Sequence, residues 1–521
     1  MLVSDIVRRN AEYFADRDAV VIPEESTTTW AELEQRSNRL ARALLDLGLE
    51  KGDRISTFAP NCGEYFDFFF ACAKTGIIGA TVNIRLAAPE VASYLNYVEP
   101  GAILVHAELN DAAAAFLGDV PSLDHVIGIG DDHGFDLDIH EMEAAQPATD
   151  PGCSVSETDT YQLGATSGTT GVPKGAMLTH RNAIAAMLNW MAEMPTPEES
   201  TNLQNIPLFF NPGGPAGIHP ILLKGGRTVI RPGFEPGAFL RAVPQYRATH
   251  SILVPTMVGM VLSHPEVDDH DLSSLMAVTT GGSAIPRDVL ARARGIFGDV
   301  FYPMYGLAET YSCGAVLRRE DQYTEGTEDQ VRRLTSVGKP MMLNNMRVVD
   351  DEGHDVTRDN TAVGEIWLTG DTVSPTYFRM PDETAAAREG KWFKTGDLGV
   401  MDEDGFVTVV DRKKDIIITG GINVYSRDIE EALYEHPAVA QVAAIGIPDD
   451  KWGEAIHTVV VLNPGAEAAP AELIEFASER LAGYKKPRSL DIVDALPISA
   501  TGKILKRELR AEFWAGRERA V

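Results

Sequence analysis

Through most of its first 300 residues the chain alternates between two hydrophobic periods, and this alternation restricts the fold more than any other feature. Helices that take turns with short buried strands pack as α/β layers. Thr29-Trp30-Ala31-Glu32 reads as a capping box, with Thr29 at the N-cap and Glu32 three residues on. Leu33, Leu40, Leu44 and Leu47 follow at helical spacing, and Gly48 can close the helix. Short buried strands are expected at 54–60, 125–130, 228–232 and 251–255. The most apolar stretch, 66–82, contains Asp67, Lys74 and two glycines. A membrane span needs ~20 uninterrupted apolar residues, so a buried helix followed by a strand is expected there.

The chain has 521 residues, and a single hydrophobic core stops growing near ~250–300, so more than one domain is expected. After Leu334 the texture changes. Short strands fall between turn signals at 346–353, 364–370 and 399–412, and Asp404-Gly405 is a strong hairpin signal. This region reads as a small antiparallel sheet or barrel. Past Lys414 helix and strand patterns alternate again, over a length sufficient for a small α+β domain. There is no internal repeat and no low-complexity tract, and the Ala/Pro-rich 465–472 reads as a short loop.

Charge excludes some partners. Lys and Arg number 46 against 76 for Asp and Glu, a formal net charge of -30. Such a surface repels phosphate backbones and anionic lipid heads, so no nucleic-acid partner is expected. A site for an anionic ligand must then carry its own local positive charge. Cys62, Cys72, Cys153 and Cys313 are scattered without a CxxC pair, which suits a reducing, cytoplasmic setting rather than a disulfide framework or zinc site. The N-terminus mixes charges into a helical pattern and has no apolar signal core. No basic amphipathic helix announces membrane attachment, so no integral membrane association is expected.

The strongest local signal is the run at 166–175: Thr166, Ser167, Gly168, Thr169, Thr170, Gly171, Val172, Pro173, Lys174 and Gly175. Glycines let backbone N–H groups approach phosphate oxygens, hydroxyls add donors, and one lysine adds a point charge. Alone, such a run is more often a surface loop. It is not a Walker A loop, because Lys174 is followed by Gly175 rather than Ser or Thr.

Four further motifs follow in order: Tyr305-Gly306-Leu307-Ala308-Glu309-Thr310, Thr395-Gly396-Asp397-Leu398-Gly399, Asp411-Arg412-Lys413-Lys414-Asp415 and Ser499-Ala500-Thr501-Gly502-Lys503. Together the five co-linear motifs closely resemble the adenylate-forming superfamily, over nearly the whole chain. That superfamily holds acyl- and aryl-CoA synthetases, the adenylation domains of peptide synthetases, and beetle luciferase. The resemblance implies an α/β fold: a large N-terminal domain of two α/β subdomains plus a small β-barrel, and a smaller mobile α+β C-terminal domain. It sets the boundary between 1–413 and 414–521, with the hinge at Lys414.

The resemblance also implies roles, each set against a blander reading. Thr166, Ser167, Gly168, Thr169, Thr170 and Lys174 would hold the β- and γ-phosphates of ATP. Gly281, Gly282 and Ser283 resemble the adenine-binding strand end, though they also make a simple turn before the helix near Pro286. Tyr305, beside Gly306, should stack on adenine, where a lone aromatic is more often core. Glu309 resembles the Mg²⁺ ligand; an isolated Glu is usually a surface charge, but a cation bridging phosphates needs only one or two carboxylates. Thr310 would bond the α-phosphate. Asp397, with two acceptor oxygens, would take both ribose hydroxyls, and Arg412 would also reach the ribose, although a DRKKD run alone is a solvated loop. Lys503 would bridge the substrate carboxylate and the α-phosphate during attack, where a well-placed donor is worth ~10²–10³ in rate; without its motif it would be a surface lysine.

The implied reaction has two halves. A carboxylate attacks the α-phosphorus of ATP and pyrophosphate leaves with Mg²⁺; a thiol then attacks the acyl-adenylate. In the family the C-terminal domain rotates about the hinge between the halves, bringing the Gly420-Gly421 loop toward the thiol channel. Acetyl-specific relatives carry Trp where Gly306 stands, so an acyl group larger than acetate is expected, and Gly306→Trp should favour short acids. Many CoA synthetases carry His where Phe210 stands, so a role needing imidazole there is in doubt, and His219 is too far along to substitute. Phe210, Asn211, Gly282, Gly306 and Cys313 are expected in the acyl pocket. They carry no charge, which points to a medium-chain aliphatic or aryl acid. Coenzyme A is the expected thiol. A carrier protein is the alternative acceptor, and a regulator that has lost catalysis is the reading from another class. Retention of Lys174, Glu309, Asp397, Arg412 and Lys503 together argues against that last reading. No motif specifies an oligomeric state.

Overall fold

The computed structural model describes residues 1–165, 174–210, 214, 220–282, 285–498 and 504–515. By compactness the chain divides into two units: Met1–Met346 with Leu368–Phe393, and Arg347–Trp367 with Lys394–Val521.

Two sheets build the first unit. Its strands begin with β1 (Asp18–Ile22), β2 (Ser26–Thr29), β3 (Arg54–Phe58), β4 (Ile78–Thr81), β5 (Ala102–His106), β6 (His125–Ile129), β7 (Leu137–Asp138) and β8 (Thr160–Ala165). They continue with β9 (Gly175–Thr179), β10 (Thr201–Gln204), β11 (Arg227–Ile230), β12 (His250–Ile252), β13 (Ala277–Thr280), β14 (Phe301–Tyr305), β15 (Ala315–Val316) and β16 (Lys339–Pro340). One sheet has the order β7-β6-β5-β3-β4-β8-β9, parallel throughout except for the β8–β9 hairpin. The other has the order β16-β15-β14-β13-β12-β10-β11-β1-β2, parallel from β14 through β1. Strands β2, β15 and β16 pair antiparallel with their neighbours. The alternation of helix and strand periods thus becomes the layered α/β architecture expected from it.

The expected elements form where local chemistry dictates them. The Glu32 N–H donates to Thr29 Oγ1 at 3.3 Å and the Thr29 N–H to Glu32 Oε2 at 2.8 Å, starting the helix Trp30–Asp46. The apolar stretch is the helix Glu64–Thr75, ended by Gly76 at φ 78°, followed by β4. Its charges are paired inside the unit. Lys74 Nζ lies 2.6 Å from Glu34 Oε2 and 2.6 Å from Asn38 Oδ1, and Asp67 lies 2.5 Å from Arg36. Among the described residues no helix is long and apolar enough to cross a membrane. The largest apolar cluster draws on both sheets, with Ile55 and Ile127 from one and Ile230, Ala277 and Tyr302 from the other.

In the second unit, β17 (Asn344–Val349), β18 (Gly364–Gly370) and β20 (Trp392–Met401) run through the residues at which the units divide. Short β19 (Arg388–Glu389) pairs with the start of β20 inside the first unit. Beyond the division the order is β17-β18-β20, with β21 (Val407–Arg412) on β20. This is the small sheet expected after Leu334, antiparallel between β20 and β21, and Gly405 at φ 85° turns β20 into β21. A further sheet has the order β23-β22-β25-β24, built from β22 (Ile417–Thr419), β23 (Ile422–Val424), β24 (Val439–Asp449) and β25 (Gly453–Leu462), with β26 (Ser489–Ile492) on β25. The helices Ser426–Tyr434 and Pro470–Arg480 cover it around Ile429, Leu433, Val442, Val460 and Leu473. The fold is mixed α/β, with a large N-terminal part and a small C-terminal one.

Candidate active site

Open parallel sheets bind ligands beyond the carboxyl ends of their strands. In the nine-stranded sheet the expected residues follow such ends: Phe210 after β10, Gly281 and Gly282 after β13, and Tyr305 and Gly306 at and after β14. Thr280 and Pro303 are register partners, which sets the β13 and β14 ends side by side. A Cβ on Gly281 would lie 3.1 Å from Met304 Cγ and 3.2 Å from the Met304 carbonyl oxygen, so glycine lets the two ends close up. Past β10, the Leu208 N–H donates to Asn61 Oδ1 at 2.7 Å and Thr81 Oγ1 donates to the Phe209 carbonyl at 2.8 Å. The turn they fix stands the Phe210 ring edge-on to Phe209, 4.5 Å between centroids, and half-buried.

The motif after β14 folds as a tight loop. The turn Ala308–Thr310 is followed by Tyr311 at φ 53° and Ser312 at φ 61°. Two successive bulky or polar residues in the left-handed region are strained, and such strain gathers at functional sites. The Thr310 hydroxyl is fully buried, accepting from the Leu307 N–H at 3.0 Å and donating to the Leu307 carbonyl at 3.2 Å. It therefore closes its own loop in this structure. Gly306 shows why the motif needs glycine. A Cβ there would lie 2.3 Å from the Ser312 carbonyl carbon and 2.8 Å from the Cys313 nitrogen. A side chain at Gly306 would meet this backbone, so Gly306→Trp requires the loop to shift and bears on the loop as well as on the acyl pocket. Cys313 is fully buried with Sγ 3.8 Å from the Ala186 carbonyl, and burial pushes its thiol up.

Strands β8 and β9 pair Ala165 with Gly175, and the glycine-rich run connects them. Of its expected phosphate ligands only Lys174 is described. Its Nζ lies 5.1 Å from the centroid of the Tyr377 ring. The Tyr377 hydroxyl in turn donates to Glu309 Oε1 at 2.8 Å. Burial, then the Glu309 charge, holds this phenol well above its ordinary range, so it remains the donor. Glu309 and Tyr377 line a small cleft with Ser374, Thr376 and Arg388. Glu309 offers one carboxylate. Among the described residues no group of three or more His, Cys, Asp or Glu could hold a metal by itself. That donor set suits Mg²⁺ carried mainly by nucleotide phosphates.

In the second unit, Asp397 and Arg412 are register partners on β20 and β21, with Arg412 Nε 2.5 Å from Asp397 Oδ1. Asp397 is almost fully buried, and its N–H donates to Thr395 Oγ1 at 3.1 Å. Lys414 lies in the turn Lys413–Asp415 between β21 and β22. Gly420 (φ 59°) and Gly421 (φ 78°) form the two-residue turn of the β22–β23 hairpin, where both positions require a positive φ. The Gly420 N–H donates to the Trp452 carbonyl at 2.7 Å, and a Cβ there would stand 2.9 Å from the Trp452 ring. Trp452 is 38% exposed, with Lys451 Nζ at 4.6 Å and the Arg488 guanidinium at 5.8 Å from its ring centroid.

Thr166, Ser167, Gly168, Thr169, Thr170, Asn211, Ser283 and Lys503 lie outside the described residues. Sequence reasoning missed Asn61 and Thr81, which fix the Phe210 turn, and also Tyr377, Trp452 and Arg488. Trp452 sits between charged residues in a polar stretch, the one local hint among them.

The chain belongs to the AMP-binding enzymes: the family model for AMP-binding enzymes matches residues 7–378, and that for the AMP-binding enzyme C-terminal domain matches 428–503. Within the family it is an AMP-forming acid–thiol ligase of the acyl-CoA synthetase kind, with relatives named as CoA synthases or ligases 29% to 35% identical over most of the chain. A feruloyl-CoA synthase of Amycolatopsis is 35% identical, covering 93% of this chain and 94% of its own. A fatty acid–[acyl-carrier-protein] ligase of Streptomyces coeruleorubidus is 32% identical, covering 96% and 94%. Among solved structures, ATP-bound MatB from Rhodopseudomonas palustris superposes with a TM-score of 0.88 at 26% identity, covering 98% of this chain and 99% of its own.

Proposed function

We propose that the enzyme converts an apolar carboxylic acid larger than acetate, medium-chain aliphatic or aryl, to its coenzyme A thioester. The observation that carries the acyl assignment is Phe210, a half-buried aromatic edge fixed beyond β10 among strand ends that bear glycines and Tyr305. Coenzyme A is favoured as acceptor by the Trp452 face beside Gly420. An exposed indole flanked by Lys451 and Arg488 offers a stacking surface for a purine and cations for its phosphates.

In the first half-reaction a carboxylate oxygen attacks the α-phosphorus of ATP. A P–O bond forms, the bond to pyrophosphate breaks, and the acyl-adenylate remains. Lys174 and the 166–170 run hold the β- and γ-phosphates, Tyr305 packs on the adenine beside Gly281, Gly282 and Ser283, and the Asp397–Arg412 pair takes the ribose. Thr310 reaches the α-phosphate only by giving up its bond to Leu307. Glu309 would hold Mg²⁺, which when bound would neutralise phosphate charge. Lys503 donates to the oxygens on which charge develops. In the second half-reaction the thiol adds to the acyl carbon, the acyl–phosphate bond breaks, and AMP leaves. Lys414 is the pivot between 1–413 and 414–521, and Gly420 and Gly421 border the thiol's path. Phe210 gates without acid–base chemistry, since phenyl has no proton to give.

The test is to supply ATP, Mg²⁺, coenzyme A and a panel of aliphatic and aryl acids, following AMP and thioester mass together. Acyl-CoA from apolar acids is the expected product. Acyl-adenylate without thioester would transfer the second half-reaction to a carrier protein, and best turnover with acetate or a charged acid would refute the acyl assignment.

A further inference from the structure

We propose that Tyr377 is a positioning residue for adenylation, holding the metal-binding carboxylate Glu309 through its hydroxyl while its ring face steadies Lys174. The inference rests on the adenylating function proposed above. Tyr377 belongs to a segment laid along β9 like an added strand. The Met177 N–H donates to the Thr376 carbonyl at 2.9 Å, the Phe378 N–H to the Gly175 carbonyl at 2.8 Å, and Ala176 and Tyr377 form an antiparallel bridge. Tyr97 adds a clamp, donating to the Phe378 carbonyl at 2.5 Å and accepting from the Gly175 N–H at 3.2 Å. At its other end the Ser374 N–H donates to the Glu309 carbonyl at 2.6 Å. The segment therefore ties the strand that follows the phosphate run to the turn that carries Glu309.

Tyr377 completes this tie with one side chain. Its hydroxyl stands 2.8 Å from Glu309 Oε1, and its ring centroid 5.1 Å from Lys174 Nζ. With one oxygen held, the carboxylate presents the other in a fixed orientation. Hydrogen bonds behind a metal ligand typically change metal affinity roughly 10–100-fold. The ring face attracts the ammonium without neutralising it, which leaves Lys174 charged for phosphate.

Two variants of the full chain separate the two contacts. Tyr377→Phe keeps the ring and removes the hydroxyl; Tyr377→Leu removes both. ATP binding is followed by calorimetry across a Mg²⁺ series and with Mg²⁺ chelated, alongside ATP–pyrophosphate exchange and thermal melting. Tyr377→Phe is expected to bind metal-free ATP as the parent does, to need roughly tenfold more Mg²⁺ for the same tightening, and to recover its exchange rate at saturating Mg²⁺. Tyr377→Leu loses metal-free ATP affinity as well, and Tyr377→Phe adds no further Mg²⁺ effect in a Glu309→Gln background. An unchanged or lower Mg²⁺ requirement in Tyr377→Phe overturns the proposal, as does an undiminished effect in the Glu309→Gln background. Melting temperatures depressed in both variants without a Mg²⁺ effect also overturn it, in favour of a purely structural tyrosine. A parent protein that binds no ATP at all refutes instead the adenylating reading on which the inference rests.

Discussion

Gly306 illustrates how one residue can carry two arguments that point in different directions. By comparison of motifs its missing side chain reads as room for a larger acid; in space, the missing Cβ is room for the Ser312 carbonyl. Gly306→Ala is therefore expected to cost about 1–3 kcal/mol of stability, as overpacking does, while leaving the rank order of accepted acids unchanged. Thermal unfolding and the acid panel check both halves of that statement. Tyr377 shows the converse. Its partner Glu309 lies 68 positions away and Lys174 far earlier still, and no spacing rule joins residues that meet only after a segment has laid itself along β9. The capping box at Thr29 and the hairpin turn at Asp404-Gly405 were legible because their partners lie within a few residues.

Among the elements, the helices Trp30–Asp46, Glu64–Thr75 and Ile139–Ala144 are joined by ionic contacts that depend on pH. His140 Nε2 lies 3.2 Å from Glu64 Oε1 and its Nδ1 3.9 Å from Glu143 Oε2, while Arg36 reaches Asp67 at 2.5 Å and Glu143 at 3.7 Å. Glu143, then Glu64, raises His140 from 6.5 to about 10. Burial works to raise Glu64, but the His140 hydrogen bond, its own backbone and Arg36 outweigh it and lower the group from 4.5 to about 2. The folded chain thus binds the imidazole proton more tightly than the unfolded chain. The His140 contribution is complete below about pH 6.5 and fades as pH rises through 10; that of Glu64 is complete above about pH 4.5 and fades as pH falls through 2. Urea midpoints of the parent and His140→Gln should accordingly differ at pH 6 and converge above pH 10. A gap unchanged between the two would rule out this linkage. Trp30–Asp46 was readable from its cap and period and Glu64–Thr75 from its apolar run, while Ile139–Ala144 went unread; their contacts were not legible, because 66–82 reads as an apolar run with two stray charges and the sequence does not say where those charges find partners.

The molecule as a whole was legible in outline. The change of texture at Leu334 and the renewed alternation past Lys414 correspond to real sheets, while the five motifs supplied the connections between them that periodicity alone lacks. The strand just before Lys414 also supports the helix beyond it. Asp411 Oδ2 accepts from the Ser426 N–H at 2.6 Å and from Ser426 Oγ at 2.7 Å, capping the helix Ser426–Tyr434 from β21. Asp411→Ala should lower stability by about 1–2 kcal/mol, the usual worth of a lost cap, read as a lower urea midpoint of the full chain; no change would show that solvent caps the helix equally well. The second unit is assembled from 347–367 and from 394 onward, with the chain returning to the first unit in between. That threading has a genetic corollary. A crossover placed at codon 413 would deliver a C-terminal half stripped of the strands on which Asp411 and Asp397 stand, and one upstream of codon 347 would carry 368–393, part of the first unit, along with them. Exchange of the second unit between related genes should therefore succeed most often as two pieces, 347–367 and 394 onward, with 368–393 left as the recipient's own.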